Sequence, residues 1–250
     1  MARRTLVVIP CYDEAARLPT ASYAEFLRAH DDVGFVFVDD GSRDGTLALL
    51  RGIASEAPDR VEVLALPSNV GKAEAVRRGM LRALEGEAVA VGFWDADLAT
   101  PLDAILEFQQ LLDRRPEIDL VIGSRVVLLG RRIERRALRH YLGRVAATAI
   151  ALSLGLRVYD TQCGAKLFRA GAPTRALFAE PFVARWIFDV EILARMLQAR
   201  RAGPLAPAAA AICEVPLTRW VDVAGSKVRT RDYLRGAVDL WRIRRRYRGA

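Results

Sequence analysis

The sequence predicts an α/β fold, a single domain with a Rossmann-like, mostly parallel sheet flanked by helices. Three observations lead there. Short apolar, β-branched runs recur through the first half of the chain, and each of the first four is followed by turn residues and a helical pattern. At 250 residues the chain can also bury a full core without disulfides or a structural metal.

The strand-like runs are Leu6 to Ile9, Phe35 to Val38, Val61 to Leu66, Ala88 to Phe93 and Leu120 to Ile122. Between them Pro19 to Ala29, Thr46 to Ala57, Lys72 to Leu84 and Pro101 to Arg114 read as amphipathic helices. Asp44 or Thr46 suits the start of the second helix, and Thr100 before Pro101 suits the start of the fourth. The second half is less regular. It offers a basic helix from Glu134 to Leu154, a mixed stretch from Asp160 to Phe178, a helix from Phe188 to Arg201 and a strand from Ile212 to Leu217. We expect a domain over 1–230, with a nucleotide-binding half to about 125 and an acceptor-binding half over 126–230, then a basic C-terminal helix or tail over 231–250.

Composition narrows the class. The longest apolar stretch, Val145 to Leu156, is too short to cross about 30 Å of hydrocarbon. The run after Met1-Ala2-Arg3-Arg4 is too short for a signal peptide, so a cytosolic location is expected. Cys11, Cys163 and Cys213 have no paired spacing and read as reduced, partly buried thiols rather than a disulfide framework or zinc site. The net charge of +8 points to an anionic partner: a nucleotide sugar, a lipid phosphate, an acidic bilayer or nucleic acid.

In an open parallel sheet the ligand lies beyond the carboxyl ends of the strands, where this sequence is unusually acidic. Asp95 and Asp97 follow the fourth strand, and their i, i+2 spacing turns both carboxylates toward one hard cation. The same residues also suit a capping loop ahead of Pro101. Asp40 precedes a Gly-Ser turn and either accepts a base N–H or simply closes that turn. Asn69-Val70-Gly71-Lys72 opens a helix, where amide groups favour an anion and Lys72 adds charge, or else Lys72 is a solvated lysine.

Taken in order, several strings resemble the glycosyltransferase family 2 enzymes of the GT-A fold, most closely the dolichyl-phosphate (polyprenyl-phosphate) β-glucosyltransferases. They are Val8-Ile9-Pro10-Cys11-Tyr12-Asp13-Glu14, Val38-Asp39-Asp40-Gly41-Ser42, Asn69-Val70-Gly71-Lys72, Asp95-Ala96-Asp97 and Gly123-Ser124-Arg125. Thr161-Gln162-Cys163-Gly164, Phe188-Asp189-Val190-Glu191 and Gly225-Ser226-Lys227-Val228 complete them, and the first and last of these three mark the lipid-phosphate branch. The resemblance implies that Pro10, Tyr12, Glu14 and Asp40 hold the nucleoside, and that Asp39, Gly71, Lys72, Asp95 and Lys227 complete the nucleotide-sugar site. It implies a Mg2+ or Mn2+ ion on Asp95 and Asp97, and an acceptor phosphate near Arg125, Arg136 and Arg139. Asp13 stands where such enzymes usually carry asparagine, and Ala73 where they often carry glycine.

The implied reaction is transfer of a sugar, glucose from UDP-glucose being favoured, to a polyprenyl phosphate at the cytosolic membrane face. Transfer of mannose from GDP-mannose, or transfer to a hydroxyl acceptor, is the alternative. A phosphate acceptor is already charged at neutral pH and needs no general base. A hydroxyl acceptor needs one, for which Asp189 or Glu191 after the apolar Trp186-Ile187-Phe188 is the candidate, while Asp97 acts with Asp95 through the cation; Asp189 and Glu191 read equally as helix N-terminal charge. The arginine-rich helix from Glu134 and the tail after Trp241 suit peripheral contact with an anionic membrane, or a solvated helix on the core. Nucleic-acid binding is disfavoured because interleaved stacking aromatics are absent. A Rossmann dehydrogenase is disfavoured because no Gly-x-Gly-x-x-Gly follows the first strand.

Overall fold

The computed structural model describes residues 4–134, 147–201, 207–222 and 230–247. Its elements run β1 (Thr5–Cys11), α1 (Thr20–Ala29), β2 (Val33–Asp39), α2 (Thr46–Glu56), β3 (Val61–Ala65), α3 (Lys72–Ala83), β4 (Ala90–Trp94), α4 (Asp103–Arg114), β5 (Leu120–Ser124) and β6 (Arg132–Glu134). Helical residues 147–154 (α5) follow. Then come β7 (Ala165–Arg169), α6 (Ala172–Ala179), α7 (Phe188–Arg201), α8 (Ala208–Ala211), β8 (Ile212–Pro216), β9 (Arg219–Val221) and α9 (Thr230–Arg246).

Among the described residues the main sheet has seven strands in the order β3-β2-β1-β4-β7-β5-β8. β1 pairs in parallel with both β2 and β4, so the chain reverses its direction of winding between β1 and β4. That reversal opens a crevice at the carboxyl ends of these strands, the usual ligand position in such sheets. β7 enters antiparallel between β4 and β5.

β1, β2, β4, β5 and β7 are buried on both faces, which explains their nearly continuous apolar composition. Val8, Val36, Val38, Val91, Phe93 and Phe168 face α3, α6 and α7, while Val7, Ile9, Phe35, Phe37, Trp94 and Leu167 face α1 and α4. Adjacent residues thus enter opposite cores, the period-2 alternation of a strand.

Several expectations are corrected at element ends. Glu134 closes the short strand β6, paired in parallel with β9, rather than opening a helix; residues 135–146 lie outside the described region. The rest of that predicted helix is amphipathic, with Ile150 and Leu154 buried and Leu152 exposed. α4 begins at Asp103, after Leu102, and neither Thr100 nor Pro101 forms its cap. At α2 the N-cap is Gly45; Asp44 Oδ1 still accepts from Thr46 N at 2.9 Å and from the Thr46 hydroxyl.

Candidate active site

The crevice is lined by the segments that follow β1, β2 and β4 and by the turn that precedes α3. Asp40 N donates to the Cys11 carbonyl at 2.8 Å, tying the first two together. Gly41 then turns with φ +67°, and a Cβ there would lie 2.5 Å from the Ser68 carbonyl carbon. Only glycine lets the loop after β2 touch the loop before α3 at that point.

That contact explains the place of Asp40. Its carboxylate accepts from Val70 N at 2.7 Å, Gly71 N at 2.9 Å and Asn69 Nδ2 at 3.0 Å. Burial pushes its pKa up, although the Val70 and Gly71 amides act in the opposite direction. Asp40 thus closes the turn. Its neighbour Asp39 is 2% exposed, and Oδ1 has no hydrogen-bond partner among the described residues.

In the segment after β1, aspartate at 13 serves the turn as asparagine would. Asp13 has φ +48°, a region that Asn and Asp tolerate best among non-glycine residues. Its Oδ1 accepts from Arg43 N at 2.8 Å and its amide donates to Ser42 Oγ at 3.0 Å. Glu14 N donates to Thr46 Oγ1 at 2.8 Å, while the Glu14 carboxylate takes a two-pronged bond from Arg17. Pro10 and Tyr12 flank this segment, each partly exposed.

Asp95 and Asp97 stand at the end of β4. The Ala96 carbonyl between them accepts from the buried Tyr23 hydroxyl at 3.2 Å, so α1 buttresses the loop from below. Asp97 Oδ1 accepts from Ala99 N at 3.2 Å, and Oδ2 lies 3.9 Å from Arg17. Burial, then the neighbouring charge of Asp95, raises the Asp97 pKa. Leu98 follows with φ +51°, a conformation costing about 1–3 kcal/mol that its packing against the core under α4 sustains.

Lys72, the first residue of α3, reaches across the crevice to Asp95 Oδ1. Crowding of its amine works against the charge, but Asp95, then Asp189 and Asp97, outweigh this and hold the pKa above the ordinary lysine value. Ala73 points away, buried in the core under α3, so the missing glycine leaves the crevice unobstructed. Gly71 lends its N–H to Asp40 rather than holding it open for a ligand.

Three features of this site escape a reading of the sequence. Gly164 packs on Asp95: its carbonyl accepts from Asp95 N at 3.1 Å, and a Cβ on it would lie 1.9 Å from Asp95 Oδ2. Lys166, fully buried in β7, donates to Asp189 Oδ1 at 2.5 Å and to the Cys163 carbonyl at 2.7 Å, with its ammonium over the Phe93 ring. Arg125 holds Asp160 through Nε at 2.6 Å and Nη2 at 2.7 Å and lies against Trp220. Gly164 and Arg125 stand in the family-like strings of the sequence, but nothing there names their partners, and a lysine inside the apolar run of β7 is the one local signal for the Lys166–Asp189 pair.

The Arg125–Asp160 pair binds the end of β5 to the loop before β7, and Glu214 accepts the amides of Tyr159 at 2.8 Å and Asp160 at 2.6 Å. Around it, Ser124 Oγ, Thr161 Oγ1 and Gln162 Nε2 are buried and unpartnered among the described residues. Glu191 is spent elsewhere. It accepts from Arg195 Nη2 at 2.8 Å, Tyr247 Oη at 2.9 Å and Ala184 N at 2.9 Å, which rules it out as a base. Lys227, Arg136 and Arg139 lie outside the described residues.

No group of three or more His, Cys, Asp or Glu converges as a metal-ligand set among the described residues. Asp95 and Asp97 nevertheless fit a hard divalent ion. They are paired oxygen donors, and burial, then the charge of Asp95, raises the pKa of Asp97; a cation would offset that neighbouring charge, and such ions readily complete their shell with phosphate oxygens and water.

Fold and rim together define an α/β enzyme of the GT-A class, with its acidic crevice at the reversal between β1 and β4. The chain belongs to glycosyl transferase family 2, whose sequence model matches residues 6–172, and it is a glycosyltransferase. It is 32% identical to a dolichyl-phosphate beta-glucosyltransferase of Trichomonas vaginalis over 96% of this chain and 70% of that protein. It is 33% identical to the dolichyl-phosphate beta-glucosyltransferase of Mus musculus over 96% of this chain and 75% of that one. Among solved structures, glucosyl-3-phosphoglycerate synthase of Mycobacterium tuberculosis in complex with phosphoglyceric acid superposes with a TM-score of 0.66 at 21% identity, covering 98% of this chain and 80% of that one. A mannosyltransferase of Pyrobaculum calidifontis in complex with GDP-Man and Mn2+ superposes with a TM-score of 0.62 at 18% identity, over 99% and 64% of the two chains. Likeness at that level concerns the fold.

Proposed function

We propose that this enzyme transfers glucose from UDP-glucose to a polyprenyl phosphate with inversion, working peripherally at the cytosolic face of a membrane. The observation that carries the reading is the Asp95–Lys72 pair seated against Gly164, the glycine of the string that marks the lipid-phosphate branch. The names of the relatives, at 30–34% identity, support glucose and a dolichyl-phosphate acceptor. No helix among the described residues is long and apolar enough to cross a membrane, in keeping with peripheral contact.

Asp95 and Asp97 would hold a divalent cation, Mg2+ or Mn2+. Bound there, it supplies positive charge that stabilises the departing diphosphate. Tyr23, through the Ala96 carbonyl, and Gly164, through its contact with Asp95, keep the two carboxylates in place. Lys72 adds a positive charge on the same side of the crevice. The unpartnered oxygen of Asp39 suits a nucleoside N–H, and Pro10, Tyr12 and Glu14 bound the same end of the crevice. Ser124, Thr161 and Gln162 beside Arg125 supply polar atoms for the acceptor phosphate.

Asp189 favours the phosphate acceptor over a hydroxyl one. Its Oδ1 is engaged by the buried ammonium of Lys166 and the side chain is 10% exposed, so it is not open to a hydroxyl acceptor as a general base must be. A phosphate monoester is already a charged nucleophile near neutral pH. The test is transfer of label from a panel of radiolabelled nucleotide diphosphate sugars into an organic-soluble product in the presence of polyprenyl phosphate. We expect UDP-glucose to give the product; label reaching only water-soluble acceptors would refute the reading.

A further inference from the structure

Over its described side chains, from Arg235 on, α9 meets the domain through one face. Ile243, Tyr247 and Asp239 are buried, and Gly236 lies so close to Trp186 that a Cβ there would sit 3.0 Å from its ring. Tyr247 donates to Glu191 on α7, the helix that begins with Phe188 and Asp189. The docked helix is therefore keyed to the element that reaches the crevice.

The opposite face has another character. Val238 and Trp241 are 49% and 58% exposed, at i, i+3 spacing on one stripe. Arg242, Arg244, Arg245 and Arg246 are exposed around them, and the Arg245 guanidinium lies 5.5 Å from the centre of the Trp241 ring. Asp239, the one acidic residue after Arg235 in this helix, faces inward, near Arg242 and the Trp186 amide. An outward tryptophan beside an arginine cluster of which, among the described residues, only Arg242 has an acidic partner, Asp239, matches the head-group region of an anionic bilayer, where an indole ring sits at the interface and cations meet lipid phosphates. Nucleic acid fits less well. It asks for aromatic faces open to stacking, and the one exposed ring here is covered by Arg245.

We propose that the outer face of α9, built on Val238, Trp241, Arg242, Arg245 and Arg246, docks this enzyme onto an anionic bilayer surface. Docking is independent of the acceptor and of catalysis, so it stands or falls separately from the glucosyl-transfer reading. Because α9 is fixed to α7, docking also sets the orientation of the crevice relative to the bilayer.

The test is co-sedimentation of the full chain with vesicles of phosphatidylcholine alone and with about one-third phosphatidylglycerol, without sugar donor or acceptor. Binding is expected to the anionic vesicles only, to weaken with salt, and to blue-shift the tryptophan emission. With about a five-fold contribution from each surface arginine, the variant Arg242→Gln/Arg245→Gln/Arg246→Gln should bind on the order of 100-fold more weakly. Trp241→Ser should lose the emission shift while melting at the wild-type temperature. Glucosyl transfer to a short-chain, water-soluble polyprenyl phosphate should be unchanged in both variants. Wild-type affinity retained by both variants would overturn the proposal. So would equal binding to neutral vesicles, tighter binding to a DNA duplex than to anionic vesicles, or a dimer that Trp241→Ser dissolves.

Discussion

Gly164 and Asp95 are in contact so close that a methyl group on the glycine would fall 1.9 Å from Asp95 Oδ2. The loop before β7 and the end of β4 thus form one unit, also joined by the Asp95 N to Gly164 carbonyl bond. Gly164→Ala should displace the Asp95 carboxylate, a side-chain end held by Lys72, more readily than the backbone. We expect a melting temperature near wild type but transfer reduced about 100-fold, the scale of a 1 Å misplacement in a catalytic site. Steady-state rates across a metal titration, set beside a thermal melt, check it. Wild-type activity would show that this carboxylate position is immaterial.

Lys166 and Asp189 form a buried ion pair, with the lysine fully buried and the aspartate side chain 10% exposed. Lys166→Met leaves an unpaired buried carboxylate and should destabilise the fold by about 3–5 kcal/mol. Removing both charges, in Lys166→Met/Asp189→Leu, should recover most of that stability. Urea denaturation of the two variants measures the difference; equal losses would mean that the charge pairing is not what holds this region.

Thr161 Oγ1 is buried with no partner among the described residues. If it serves the acceptor phosphate, Thr161→Val should raise the KM for polyprenyl phosphate several-fold and leave the KM for UDP-glucose unchanged. Stability should be equal or higher, since an unsatisfied buried polar atom costs about 1–3 kcal/mol. An unchanged acceptor KM places the phosphate elsewhere.

Burial pushes the Cys163 thiol up from 9.0 to about 11. A group with a raised native pKa contributes stability that is fully present below the unfolded value and lost as pH rises through the native one. Between pH 9 and 11 the wild type should therefore lose about 2 kcal/mol more than Cys163→Ala. Denaturation curves across that range test the sign, and parallel pH profiles for the two proteins would contradict it.

The first half of the fold was legible because its signals are local. β1 to β4 and α1 to α4 each carry their own periodicity, and the residues after each strand fall at the crevice by topology alone. β7 was not legible. It enters the sheet antiparallel between two strands distant in sequence, and its run Ala165-Lys166-Leu167-Phe168-Arg169 carries a lysine that breaks the strand pattern. Asp95, Asp97 and Asp40 were visible as candidates, but what surrounds them was not. Tyr23 under Ala96, Gly164 against Asp95 and Arg125 on Asp160 join residues 35 or more positions apart, and no periodicity reports such pairs. Glu191 misled for the same reason: its partner Tyr247 lies 56 residues away.

The central claim is that Asp95 and Asp97 hold the cation that neutralises the departing diphosphate. The direct measurement is calorimetric titration of UDP-glucose into the wild type and Asp95→Asn/Asp97→Asn, with manganese and after chelation. The account predicts that chelation weakens wild-type binding at least ten-fold and that the double variant is weak in both conditions. Equal affinity for the sugar nucleotide in all four titrations would contradict it.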